Sequence, residues 1–327
     1  MTRVTSADVA RESGVSRTTV SYVLNDKGGD AIPEATRQRV REAAARLGYT
    51  PSAAARALRR GRSDLVLLVL PDWPIGPVID TLLDQLTGEL AGRGLSLLVH
   101  HARGSRPLAD LWRAVTPRAV LGLVPFAPDD ERAMRQAGIQ VVGSTLDANT
   151  DPGTFSVPQI AIGRLQVEHL VARGRRVVAY AGPDDARLAP FADRRRAGVA
   201  AACEELGLAA PVSAALGLDV AAAADVVRSW RSAPEPVTAV AAYNDEVALA
   251  VVAGVRAAGL RVPDDVAVIG VDDVPAARLA SPPLTTVWQA IDAQATYLAA
   301  SVMAALDGTD EPPRPDDVFH VVVRSST

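Results

Sequence analysis

Cysteine is almost missing. The chain of 327 residues has one, Cys203, which excludes a disulfide framework and any thiolate-rich zinc or iron–sulfur site. Lysine is as scarce: of 34 basic residues only Lys27 is a lysine, a bias of nucleotide composition in the source rather than a chemical choice. Long apolar runs are absent too. The longest lies near Leu65–Leu70, far short of the ~20 residues a spanning helix needs. Met1-Thr2-Arg3-Val4-Thr5-Ser6 lacks the apolar core of a signal peptide, so a cytoplasmic protein with no membrane partner is expected. There is no Walker loop, no GxGxxG and no GxSxG. The four histidines are His100, His101, His169 and His320. The adjacent pair, His100-His101, points to opposite faces at a strand end, which is poor metal geometry. Neither an enzyme nor a cofactor is therefore expected.

What is present is an ordinary globular balance. The chain is 48% hydrophobic and 22% charged, with 24 Gly and 23 Pro, which excludes a wholly disordered or collagen-like chain. At ~150 residues per domain the length suggests about two domains. The charge is uneven. Residues 1–62 hold 12 Arg/Lys and 6 Asp/Glu, net +6; since the whole chain is −4, the rest carries −10. A basic head on an acidic body points to a polyanion that only the head touches.

The head reads as three short helices. Ser6 is placed as the cap of the first, which runs to about Ser13 with Val9 and Ala10 inward. Gly14 ends it, since a left-handed residue there costs glycine little. Ser16 caps a second helix from Arg17 to about Leu24, with Val20, Val23 and Leu24 on its apolar side. Residues 25–30 form a loop. Pro33 opens a third helix, with Val40, Ala44 and Leu47 inward. Such a unit is either a small bundle without a ligand or a helix-turn-helix whose second helix enters the major groove. Ser16, Thr18, Thr19 and Ser21 are poor choices for a helix that only packs and good donors to phosphates and bases. They favour DNA.

Val4-Thr5-Ser6-Ala7-Asp8-Val9-Ala10 and Gly14-Val15-Ser16-Arg17-Thr18-Thr19-Val20-Ser21 resemble the head of LacI/GalR-family transcription regulators. Leu24-Asn25, Thr36-Arg37-Gln38-Arg39-Val40 and Leu47-Gly48-Tyr49-Thr50-Pro51 continue the match. The resemblance implies that Arg17, Thr18 and Tyr22 read bases, Arg17 by a bidentate bond to guanine. Tyr22 stands where the family commonly has arginine; its alternative is stacking on the third helix. Thr5, Ser16, Thr19, Ser21 and Asn25 would position phosphates. The following Pro51-Ser52-Ala53-Ala54-Ala55-Arg56-Ala57-Leu58 has high helix propensity but is too short to be stable alone. By resemblance it is a hinge helix that pairs with its twin in a homodimer, with Ala55 and Leu58 at the minor groove and Leu58 as an apolar wedge.

From Ser63 onward, short apolar runs alternate with helical segments. Strands are expected at Leu65–Leu70, Leu95–Val99, Ala119–Val124, Gln140–Gly143, Val177–Ala181, Val237–Tyr243 and Val266–Val271. Helices are expected at Asp80–Arg93, Arg194–Leu206, Glu246–Ala258 and Ile291–Leu306. The fold class is α/β, with parallel sheets covered on both faces. The body resembles the two-lobed periplasmic-binding-protein type I fold of the same family. The expected division is a head (1–49), a hinge helix or linker (50–62) and an effector-binding and dimerisation domain (63–327). Its first lobe takes about 63–160 and 291–317, its second about 161–290 and 318–327. Val318–Val323 would span the hinge, and nothing after it suggests a tetramerising tail.

Ligands of such folds sit at the carboxyl ends of strands. Arg195, Asn244 and Asp272 fall there, and Gln289 at the hinge is a fourth candidate. An arginine, an amide and a carboxylate can clasp vicinal hydroxyls. Arg194 or Arg196 could take the place of Arg195, and Asn244 and Asp272 could instead shape turns while Asp245 and Asp273 cap helices. The first lobe departs from the family. Trp73-Pro74-Ile75-Gly76-Pro77-Val78 replaces an aromatic-containing stretch, Thr145 stands where an acid is common, and Pro158-Gln159 replaces an Asp-Asn type pair. The expected partners are thus a double-stranded DNA operator, a second copy of the chain and a small-molecule effector of the carbohydrate kind. The alternatives are an effector-independent regulator and a small-molecule receptor whose DNA role is secondary.

Overall fold

The structure, a computed structural model, describes residues 4–24, 32–49, 63–103, 107–143, 158–315 and 319–327. They form two compact units, Met1–Asp64 with Arg113–Pro117, and Leu65–Trp112 with Arg118–Thr327. The expected hinge helix, with Ala55 and Leu58, lies outside the described residues, as do Asn25 and Thr145.

The first unit contains three helices, α1 (Ser6–Ser13), α2 (Arg17–Leu24) and α3 (Glu34–Leu47). Val9, Ala10, Val20, Val23, Val40, Ala43 and Ala44 make one buried cluster, so each helix contributes its inner face. Small residues at Ala10 and Ala43 leave room for close crossing. Gly14 ends α1 at φ 69°, and Val15 N–H reaches back to Ala10 C=O at 3.1 Å. The cap of α1 is one residue earlier than the sequence suggests. Thr5, not Ser6, is the extended residue, and its N–H and hydroxyl both donate to Asp8, at 2.9 and 2.7 Å. Ser6 is the first helical residue. The acid three places on decides the choice, because it can answer only the residue at the cap.

The second unit holds two sheets. The first has strands β1 (Leu65–Leu70), β2 (Ser96–His101), β3 (Ala119–Gly122) and β4 (Gln140–Gly143), all parallel, in the order β2-β1-β3-β4. Helices α4 (Pro77–Ala91), α5 (Leu108–Val115) and α6 (Pro128–Gln136) link them. β1 reads Leu-Val-Leu-Leu-Val-Leu because a central strand covered on both faces has no polar side to show. Next come α7 (Gln159–Ala172), β5 (Val178–Pro183), α8 (Ala189–Glu205), β6 (Val212–Leu216) and α9 (Val220–Arg231). They are followed by β7 (Ala239–Ala242), α10 (Asp245–Ala257), β8 (Ala267–Val271), α11 (Pro275–Leu279) and β9 (Thr285–Gln289). α12 (Ile291–Asp307) then packs on α4, β3 and β4, and β10 (Phe319–Val322) closes the second sheet.

That sheet runs β10-β9-β8-β7-β5-β6. It is parallel except for β10, which pairs antiparallel with β9. The parallel arrangement expected from the sequence holds for its other strands. The last strand differs because it returns from α12 to an open sheet edge. β6 and α9 went unread because Val212–Leu216 is largely exposed and low in apolar contrast. The C-terminal residues stitch this sheet: Ser326 Oγ accepts from Thr285 N–H at 2.7 Å and donates to Val268 C=O at 2.6 Å.

Candidate functional site

Two surfaces gather the sequence candidates, one in each unit. In the first, Ser16 caps α2 by accepting from Thr19 N–H at 3.0 Å, and the two hydroxyls share a bond of 2.9 Å. Successive helix positions turn by 100°, so Arg17, Thr18, Ser21 and Tyr22 share an arc opposite Val20 and Val23. Arg17 and Thr18 are exposed. Tyr22 is 47% exposed and stands outside the cluster that the three helices bury. Ser16 is exposed, and Thr19 and Ser21 are half-buried. Thr5 is exposed, but its hydroxyl proton goes to Asp8.

The second surface is a cavity of about 260 Å³ between the two sheets of the body. Arg195, Asn244, Asp272 and Gln289 all line it. They arrive from four segments: the second turn of α8, the end of β7, the end of β8 and the end of β9. Of the three consecutive arginines, Arg195 is the one turned inward, 3% exposed, whereas Arg196 is exposed and pairs with Asp193. Its guanidinium donates to Tyr243 C=O and to Gln159 Oε1, and lies 4.7 Å from the centre of the Tyr243 ring. Its Nε has no partner among the described residues. This is a buried cation held by neutral groups, with Asp272 as a nearby counter-charge.

A close helix crossing sets the arginine's depth. A Cβ on Gly163 of α7 would come within 2.2 Å of Arg195 C=O, and one on Gly198 of α8 within 2.0 Å of Ile160 C=O. Glycine at both places lets α7 and α8 touch backbone to backbone, which brings Gln159 to Arg195.

Asp272 sits at φ 112°, a region that side chains with a Cβ rarely enter. Its N–H donates to Val287 C=O at 2.8 Å, and its carboxylate accepts from Gln289 Nε2 at 2.6 Å. The cost of that backbone is carried by the packed strand ends around it. Burial raises the Asp272 carboxyl to about 7, against the lowering pull of Arg195; Asp245 adds to the rise. Asn244 does two things: it lines the cavity, and its Oδ1 caps α10 by accepting from Val247 N–H at 3.0 Å.

The two neighbouring acids do not cap helices. Asp245 is fully buried, accepting from Thr286 Oγ1 at 2.5 Å and Val274 N–H at 2.9 Å, and burial raises it to about 7. Asp273 is bound by Arg324 and Arg278. Both acids tie the loops after β7 and β8 to β9 and the C-terminal segment.

Sequence reasoning missed several lining groups. Gln159 was noted only as a departure from the family pair, and Tyr243 only as a strand residue. Gln294 interrupts the apolar stripe Ile291, Ala295, Leu298 of α12, a signal that was available; its Nε2 is buried without a partner among the described residues. Trp73 meets Phe191 edge-on with ring centres 4.9 Å apart, and Arg187 lies 3.7 Å from Asp72, so both contacts cross between the lobes. Among the described residues no group of three or more His, Cys, Asp or Glu is placed to hold a metal, and no helix is long and apolar enough to cross a membrane.

Comparison with known proteins places this geometry in context. Residues 5–52 match the description "Bacterial regulatory proteins, lacI family", and residues 167–327 match "Periplasmic binding protein-like domain". The HTH-type transcriptional regulator GntR of Pseudomonas aeruginosa is 31% identical over 99% of this chain and 96% of its own. The lac repressor dimer bound to operator and the anti-inducer ONPF matches with a TM-score of 0.81 over 99% of each chain; at 22% identity the likeness is one of fold. A complex of the transcriptional regulator CelR with cellobiose matches with a TM-score of 0.65 at 27% identity, over 99% of this chain and 100% of the other.

Proposed function

The chain belongs to the lacI family of bacterial regulatory proteins, and from that footing we propose that it is a sequence-specific transcriptional regulator, a homodimeric repressor whose operator affinity answers to a small molecule. The observation that carries the reading is the exposed arc of α2. Arg17, Thr18 and Tyr22 lie together on a helix whose other face is buried, within a segment, residues 1–62, of net charge +6. Such a helix fits the major groove, and two copies fit a pseudo-palindrome. Ser16, Thr19, Ser21 and Asn25 would hold phosphates; Thr5 would serve chiefly as a cap. The segment 50–62, with Ala55 and Leu58, would meet the minor groove between the heads, and 1–49 and 63–327 would act as reading head and sensing body.

Arg195, Asn244, Asp272 and Gln289 would bind the effector. The cavity joins both lobes, so an occupant changes how they close. It can shift DNA affinity only as far as its own affinity differs between the two states. This role requires binding and no catalysis, and it places the protein with the DNA in the cytoplasm. The test is selection of genomic fragments by the purified protein, followed by sequencing. A shared pseudo-palindrome upstream of a few genes supports the reading; equal recovery of all fragments refutes it.

A further inference from the structure

Besides sharing the cavity, the two lobes meet through a row of charges. Asp72 follows β1 and Arg103 follows β2, both in the first lobe; Asp185 and Arg187 follow β5 in the second. Arg103 Nε donates to Asp72 Oδ1 at 2.7 Å, and Arg187 Nη2 donates to Asp185 Oδ2 at 2.6 Å. Arg187 Nη1 stands 3.7 Å from Asp72 Oδ1 and makes the link between the lobes. The signs therefore alternate across the gap, and each lobe supplies one cation and one anion. His101 feels three of these charges, and both its ring nitrogens are buried and unpartnered among the described residues. Burial, and next Arg103, lower its pKa, so it stays neutral and the row carries no net charge.

The bonds inside each lobe are short and the link across is long. Parting the lobes breaks the long link alone and leaves neither Asp72 nor Arg187 without a partner. A pair whose separation orphaned a buried ion would lock the lobes. This one, about half exposed on both sides, opens at small cost. The row is also tied to an apolar contact. Arg103 Nη2 donates to Trp73 C=O at 3.1 Å, so one guanidinium fixes both Asp72 and the residue whose ring meets Phe191 edge-on. Phe191 stands in the first turn of α8, just after Arg187. We propose that Asp72-Trp73 and the segment 185–191 form a latch that holds the lobes together through protein groups alone and loosens as ionic strength rises. Salt screens the half-exposed link, while the contact of Trp73 with Phe191 keeps its strength. Closure of the body is then an equilibrium that the ionic medium shifts, whatever the cavity binds.

Trp73 is 7% exposed, so quenching of its fluorescence by acrylamide, a neutral probe, counts openings of the latch. The experiment compares full-length wild type, Arg187→Gln, Asp72→Asn and the double variant, with Trp73→Phe versions subtracting the other tryptophans. At low salt Arg187→Gln is expected to raise the quenching of Trp73 about twofold to fivefold, the range for an exposed pair. At ~1 M salt, where the screening length falls to about 3 Å, the wild type is expected to reach the level of the variant, and the variant to stay where it was. The double variant is expected to fall short of the product of the two single effects. Arg132→Gln, which breaks an exposed pair with Asp129 in α6, is expected to leave quenching unchanged. Equal quenching in wild type and Arg187→Gln, an equal salt response in both, or an Arg132→Gln effect as large as that of Arg187→Gln would overturn the latch. So would a double variant equal to the product of the singles.

Discussion

Asp245→Asn isolates what a buried carboxyl contributes to the body. Asp245 has no exposure, and burial raises its pKa from 3.8 to about 7 despite two hydrogen bonds. The native state therefore binds this proton more tightly than the unfolded chain. Its contribution to stability is complete below the unfolded value and is lost as pH rises, until the native carboxyl itself ionises near pH 7. Each pH unit in that window costs about 1.4 kcal/mol. Asparagine has the same shape and does not titrate. Its oxygen can accept from Val274 N–H, and its amide can donate to Thr286 Oγ1, which already accepts from Asp273 N–H at 3.4 Å. The variant is expected to gain about 2 kcal/mol on the wild type between pH 5 and pH 7. Asp272 shifts the difference the same way, because losing the charge of Asp245 eases its own ionisation. Urea unfolding followed by tryptophan fluorescence reads this directly, since Trp73, Trp112, Trp230 and Trp288 all belong to the second unit. A difference between variant and wild type that does not change with pH would refute the reasoning and mean that the native carboxyl is ionised throughout.

Three further outcomes follow from the same geometry. Gly198→Ala forces a Cβ to 2.0 Å from Ile160 C=O, so a loss of about 3 kcal/mol or more in urea unfolding is expected; a change below about 0.5 kcal/mol would contradict the close crossing. Gly88→Ala, in mid α4 with nothing within 4 Å of the new Cβ, is expected to gain about 0.5–1 kcal/mol, and a loss would show an unrecognised contact. Asp272→Ala is expected to abolish the response of operator binding to ligand while leaving operator affinity within about twofold; loss of both, measured by fluorescence anisotropy on the selected site, would make the residue structural.

Much of this was legible in the sequence, and the reasons differ by element. β1 and β8 announced themselves because strands covered on both faces have unbroken apolar runs. The head was legible because its caps, Gly14 and Ser16, are local chemistry. The first cap was misplaced by one residue, since Thr5 and Ser6 are equally good caps until Asp8 is seen to answer Thr5. Arg195 could not be singled out from Arg194 and Arg196, because choosing among them needs the phase of a helix that begins at Ala189. Gln159 and Tyr243 hold that arginine from 36 and 48 residues away, and no pattern along the chain links them to it. Asp245 and Asp273 read as helix caps because acids after a strand usually serve that way; their real partners, Thr286, Val274 and Arg324, come from β9, the loop after β8 and the C-terminal segment.

Base reading by the exposed arc of α2 is proposed above and can be tested alone. Its most direct test is selection of a randomised duplex library by wild type and by Arg17→Ala in parallel. A pseudo-palindromic site is expected for the wild type. The variant is expected to lose preference at one position in each half-site, by about 1–3 kcal/mol of discrimination, with the other positions kept. A variant whose base preferences match the wild type at every position would contradict it.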